Sequence, residues 1–162
     1  MGGETLSLFF ERNDKMEKLN LERNKEDFYI LEVNEKGETI EFDLTDISLP
    51  EKIMKASENI RELDKEYQKE MINLQKENID DVEKTKKAIK IESEKCKQMR
   101  KEFDSFLGEN ACQKIFGETN YYGMFLQLFD ALEPHFNKMK IKLDKAKLKL
   151  ANKYLPKNKD VM

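Results

Sequence analysis

The chain has 162 residues, 39% of them charged and 38% hydrophobic, with a net charge of −3. Ordinary soluble domains carry roughly 25% charged residues, so this composition favours long helices with wide solvated faces over a layered α/β enzyme. A single His and two Cys leave little material for metal or nucleophile chemistry.

Charge is unevenly spread. Residues 1–50 hold 13 acids and 6 bases, whereas residues 134–162 hold 9 Lys and 2 Asp. The acidic beginning and the Lys-rich end therefore attract one another, and the lysines also suit an acidic partner. No secretory signal is evident, and no apolar run approaches the roughly 20 residues of a membrane span. Reduced, packed Cys96 and Cys112 in a cytoplasmic protein are the expectation.

Three segments follow in order: an N-terminal extension and β-meander over 1–50, a long charged helical segment over 51–107, and an aromatic helical core with a Lys-rich helix over 108–162. In the first, Leu6, Leu8, Phe9 and Phe10 form an apolar patch after Gly2-Gly3. From Lys18 the hydrophobic period becomes two. Phe28–Val33 and Thr39–Leu44 flank Asn34-Glu35-Lys36-Gly37, which reads as a hairpin, with Leu19–Glu22 as a third strand. Ile40, Phe42 and Leu44 share one face and need helices as cover.

Ser48-Leu49-Pro50-Glu51 marks a helix start, with Ser48 as cap and Glu51 reaching back. From Glu51 to Leu107 there is no Gly or Pro. Ile53, Ala56, Ile60, Leu63, Tyr67 and Leu74 fall on one heptad register; Val82, Ile89, Cys96, Met99, Phe103 and Phe106 fall on a second. The slip between them coincides with Asn78–Glu83, a second capping signature at Asp80. The missing Gly and Pro tilt the reading slightly toward one continuous helix rather than a hairpin. A seam this narrow suits self-association, with Ile60, Leu63 and Tyr67 as knobs.

Gly108 ends the long segment. Asn110 caps a short helix stopped by Gly117, and Asn120 opens the aromatic helix of Tyr121, Tyr122, Met124, Phe125, Leu128, Phe129 and Leu132. Pro134 kinks or restarts it, and Phe136, Met139, Leu143, Ala146 and Leu150 continue at heptad spacing. The octapeptide Phe116–Gly123 reads as an interhelical turn with its aromatics folded inward. Lone His135, beside Pro134, reads as a packing or surface residue. Mainly α with a small antiparallel β-meander is the resulting fold class.

Cys96, Met99, Phe103 and Phe106, then Lys114-Ile115-Phe116-Gly117-Glu118-Thr119-Asn120 and an aromatic helix to Phe136, recur as an ordered pattern after the hairpin end Ile40–Leu44. Over roughly residues 38–139 this pattern resembles tail assembly chaperones of phages and phage-tail-like particles of Gram-positive bacteria. The resemblance implies a non-enzymatic protein of the bacterial host cytoplasm, without cofactor or catalytic residues, that binds tape-measure and tail-tube subunits. Two other readings stand beside it: a coiled-coil adaptor retained in the particle, and a phage-encoded inhibitor of a host nucleic-acid enzyme. For a chaperone, an apolar groove is expected between the Phe103–Phe106 face and the helix of Tyr122, Phe125 and Phe129, with Met99 and Met124 as adaptable lining. A closed core made of the same aromatics is the competing arrangement.

The Lys-rich end lacks Arg and interleaved exposed aromatics, so no complex with a generic DNA duplex is expected at about 150 mM salt. Fluorescence anisotropy showing sub-micromolar binding there, with a steep salt dependence, would overturn this.

Overall fold

The computed structural model describes residues 16–154. Among them, strands β1 (Phe28–Glu32) and β2 (Thr39–Asp43) precede helices α1 (Leu49–Lys76), α2 (Asp81–Leu107), α3 (Ala111–Phe116) and α4 (Tyr122–Tyr154). The mainly helical class with a small N-terminal antiparallel sheet is therefore the observed one. The Leu6–Phe10 patch lies outside the described residues.

β1 and β2 pair antiparallel, with Tyr29 opposite Phe42 and Leu31 opposite Ile40. Directly opposed residues share a face, and this face is buried through Ile40, Phe42 and Leu44 as expected. The connecting turn is fixed by Asn34, whose side-chain oxygen accepts from the backbone N–H groups of Lys36 and Glu38 at 3.0 and 3.1 Å. Gly37 takes a φ of 78° there, a region open to glycine at little cost. The sheet stops at two strands. Leu19 and Leu21, expected in a third, are exposed and outside any regular element. The Arg23–Asp43 ion pair fastens this approaching segment to the sheet instead.

The first helix begins at the expected place by a different device. Ser48 makes no capping bond with its side chain. Its hydroxyl donates instead to Asp46 Oδ1 at 2.6 Å, and its N–H donates to the same oxygen at 2.9 Å. A carboxylate is a stronger acceptor than the hydroxyl that was expected to cap.

The slight preference for one continuous helix is reversed. α1 ends at Lys76, Glu77 turns to an extended conformation, and α2 starts after Asp80. Asp80 accepts from the Glu83 N–H at 2.8 Å, the cap written in the sequence. Lys84 donates to the Gln75 carbonyl at 3.0 Å, satisfying a group the end of α1 leaves free. Lys87 pairs with Glu77 at 2.8 Å. The break needs neither Gly nor Pro, because caps and lysines replace the lost helical bonds.

The two helices run back along each other, joined by Asn59 donating to Glu102 at 3.1 Å and Lys95 donating to Glu66 at 2.8 Å. Lys95 is a buried cation, only 7% exposed at its side chain, with Glu70 as second partner at 3.6 Å. Burial opposes its charge, but the bond to Glu66 and the field of Glu70 outweigh that, and its pKa is raised.

Gly108, at a φ of 116°, closes α2. Asn110, expected as a side-chain cap, supplies a left-handed backbone residue (φ 61°), and Asp104 accepts from the Cys112 N–H at 2.9 Å in its place. α4 begins at Tyr122 rather than Asn120 and runs through Pro134 without restarting. It buries Tyr122, Phe125, Leu132 and Met139.

Replacing Asp80 with Ala removes the cap that starts α2, and a loss of about 1 kcal/mol is expected. Urea unfolding of the two proteins at neutral pH checks it; an unchanged midpoint would show that the turn does not depend on this cap.

Candidate functional site

The residues proposed for a partner groove are placed together, but inside the protein. Met99, Phe103 and Phe125 are 0% exposed, and Tyr122 and Phe106 are 3% and 7% exposed. Phe103 stacks against Phe125 at 6.0 Å between ring centres, Phe106 meets Phe136 at 5.9 Å, and Phe116 stands edge-on to Phe125 at 5.3 Å. Phe129 is half-buried against the same cluster, and Met124 is half-buried beside it in sequence. The two faces expected to line an open groove are packed against each other, which is the closed-core arrangement. Large apolar side chains gain most when both faces leave water.

Ile60, Leu63 and Tyr67, expected as knobs between copies, also serve the monomer. Ile60 is 2% exposed, while Leu63 and Tyr67 pack against the same core. The seam that looked too narrow for its own chain is covered once α1 and α2 fold back and α4 joins them.

α4 is locked to α1 and α2 at its first residue. The Tyr122 ring stacks on Tyr67 with centres 3.8 Å apart. Its hydroxyl donates to Asp64 at 2.6 Å, and its backbone N–H donates to Glu92 at 3.1 Å. Burial raises the phenol's pKa, and the bond to Asp64 raises it further.

The octapeptide Phe116–Gly123 is an interhelical turn held by one arginine. Arg100 donates from Nε to the Asn120 side-chain oxygen at 2.8 Å, and from Nη2 to the carbonyls of Gly117 and Thr119 at 2.9 and 2.7 Å. Its planar fork spans three acceptors that a lysine could not reach together. Gly117 sits at a φ of 63°, so a side chain there would be strained. Phe116 and Tyr122 turn inward, whereas Tyr121 stays 57% exposed.

The remaining chemical groups are tied into the fold. Cys96 and Cys112 are both buried. Burial pushes the Cys112 thiol up to about 12, with Asp104 adding to the shift, so it stays protonated at neutral pH. His135 Nδ1 lies 2.8 Å from the Tyr29 hydroxyl, fastening α4 to β1. An open cleft of about 980 Å³ between the β-turn and α3 is lined by groups of both signs, including Lys36, Glu38, Lys114 and Glu118. Lys114 is already engaged, donating to the Thr39 carbonyl at 3.2 Å. Among the described residues, no group of three or more His, Cys, Asp or Glu is placed to hold a metal ion. No helix there is long and apolar enough to cross a membrane.

Exposed apolar side chains are scattered over the described residues, Ile47, Met54 and Ile141 among them, and some lie beyond the level of Tyr122. There the α1–α2 pair continues as a two-helix arm, in which Leu74, 5% exposed, is the one buried apolar residue. Val82 and Ile89, expected on the buried seam, are 64% and 63% exposed. The heptad expectation therefore fails at these two positions: the less exposed stripe of α2 there runs through Lys84, Ala88, Ile91 and Lys95 instead.

The buried thiols and phenols set a pH dependence. Folding raises the Cys112 pKa from 9.0 to about 12, and Cys96, Tyr67 and Tyr122 are raised too, in each case chiefly by burial. A raised acid holds its proton more tightly folded than unfolded, so its contribution is complete below the unfolded pKa and is lost as pH rises through the folded one. Urea midpoints are expected to fall between about pH 9 and about 12, with a shallower fall in Cys112→Ala; a flat profile for the unaltered protein would contradict it.

No curated protein and no solved structure matches the chain. One family model does, over residues 36–160, which takes in the last residues of the β-turn, β2 and helices α1 to α4. The chain belongs to that family, a family of unknown function designated DUF6673.

Proposed function

We propose that this protein is a non-enzymatic assembly chaperone of phage tail morphogenesis, acting in the cytoplasm of the bacterial host on tape-measure or tail-tube subunits. The observation that carries the reading is a closed aromatic core bearing an arm of two charged helices with uncovered aliphatic side chains, Val82 and Ile89. Such an arm offers a client apolar contact while its charges keep the complex dissolved. The resemblance through the Ile40–Leu44 hairpin end and the Lys114–Asn120 turn points the same way and supplies the client class. A tape-measure protein is a long helix with an apolar stripe, and it needs cover until the tube encloses it.

Co-expression tests this. A tape-measure protein encoded beside this gene is expected in the soluble fraction with the chaperone and in the pellet without it. The chaperone itself is expected to be missing from purified particles. Recovery of the protein in stoichiometric amounts from finished particles would favour a retained coiled-coil adaptor. A flanking region without tail genes would remove the reading.

A further inference from the structure

α4 and the sheet carry opposite charges on opposite sides of the molecule. Lys138, Ile141, Lys145 and Leu148 follow one another by steps of three and four, so they share one stripe of α4. All four are exposed, Ile141 by 56% and Leu148 by 63%. The other side of the helix carries Leu132, Phe136 and Met139 into the core. Residues 134–154 hold 7 Lys against Asp144 as the one acid. Among the described residues, Lys138 and Lys145 stand in no ion pair.

The sheet has the reverse character. Its inner face meets α4 through Tyr29, whose hydroxyl reaches His135 and whose ring lies 5.2 Å from the Lys142 Nζ. Alternation sends Phe28, Ile30 and Glu32 to the outer face, opposite Asp43, Glu41 and Thr39. Ile30 is 50% exposed at the centre of that face, with exposed Glu41 across from it and exposed Glu32 two residues on. Asp43 is taken by Arg23, which also lies over the Phe28 ring. Glu32 and Glu41 stand in no ion pair among the described residues.

We propose that the lysine stripe of α4 in one copy docks on the outer sheet face of a second copy, with Ile141 against Ile30 and Lys138 and Lys145 against Glu32 and Glu41. The lengths agree: Lys138 to Leu148 spans about 15 Å of helix, and Phe28 to Glu32 about 13 Å of strand. Charge complementarity selects a second copy as the occupant, since one chain supplies both an apolar centre rimmed by lysines and one rimmed by carboxylates. The stripe cannot reach the outer face of its own sheet, because α4 lies on the inner side with the stripe turned away. Surfaces placed on opposite sides join head to tail, a heterologous contact. Exposed ion pairs are individually weak and screened by salt, so the contact is a transient one that low ionic strength strengthens. It involves neither the arm nor a tail protein and stands apart from the chaperone reading.

Sedimentation equilibrium of the full chain tests this. At about 100 µM protein and roughly 10 mM salt the mass is expected to exceed 19.2 kDa, and to return to it at about 0.5 M salt. A double variant Lys138→Glu, Lys145→Glu and a double variant Glu32→Lys, Glu41→Lys are each expected to be monomeric alone, with unchanged circular dichroism. Mixed in equal amounts, the two are expected to associate, because the lysine stripe of one meets the carboxylate face of the other; mixing would not restore a variant that fails to fold. Ile141→Asp is expected to weaken association at least about tenfold. A monomer for the unaltered chain at low salt would overturn the proposal and leave the stripe to an acidic segment of another protein. Association that persists in both double variants, or a mixture that stays monomeric, would also overturn it.

Discussion

The architecture depends on α2 being buried on more than one side. Cys96, Met99, Phe103 and Phe106 form one heptad seam, and Lys95 and Leu107 on either side of it are buried too, so the buried sector is wider than that seam, each member being 7% exposed or less. One side of α2 takes α1, another takes α4 through Phe103 and Phe125, and the lower end takes β2 and α3. A helix in which charged residues outnumber apolar ones can be stable in this position because its aromatics fall within that wide sector. The two-stranded sheet, marginal alone, is stable for the same reason: Ile40 and Phe42 join the cluster that α2 organises.

Polar bonds then select one arrangement of these elements. Arg100 ties the end of α3 to α2, Tyr122 ties the start of α4 to α1, and Lys95 holds α1 and α2 in register. Every one of these is a side chain with several donors, or a ring with one polar end, at a place where apolar packing alone would permit sliding. Buried polar groups of this kind restrict the alternatives more than they add stability. They also account for residues that a search for catalytic groups would single out, since Tyr122, Asp64, Arg100 and Asp104 are all engaged in holding helices.

The arm follows from the same rule of burial applied to length. α1 and α2 are 28 and 27 residues long, and α4 accompanies them only from Tyr122 downward. Above that level two helices have one another and water. A two-helix pair buries little, and among its apolar residues Leu74 alone is fully enclosed. The described residues thus divide into a closed base and an extension on which Ile72, Val82 and Ile89 stay in water.

Much of this was legible in the sequence. The alternation at Phe28–Leu44 gave the hairpin and its buried face, Asp80 and Gly108 marked helix ends, and the heptad positions named the core. These are local signals, written in neighbouring residues and read by backbone geometry. What the tertiary structure decided was which partner each apolar stripe meets. Heptad spacing states that Ile60 and Phe103 lie on a stripe, but not whether its complement is another copy, another helix of the same chain, or a client. In the base, the fold-back at Glu77–Asp80 brings Ile60, Phe103 and Phe125 into one core of this chain, with Leu63, Tyr67 and Phe129 packed against it. Val82 and Ile89 share the spacing of Cys96 and Phe103, yet remain in water. Burial depends on which distant segment arrives, and the spacing of residues along one helix does not contain that information.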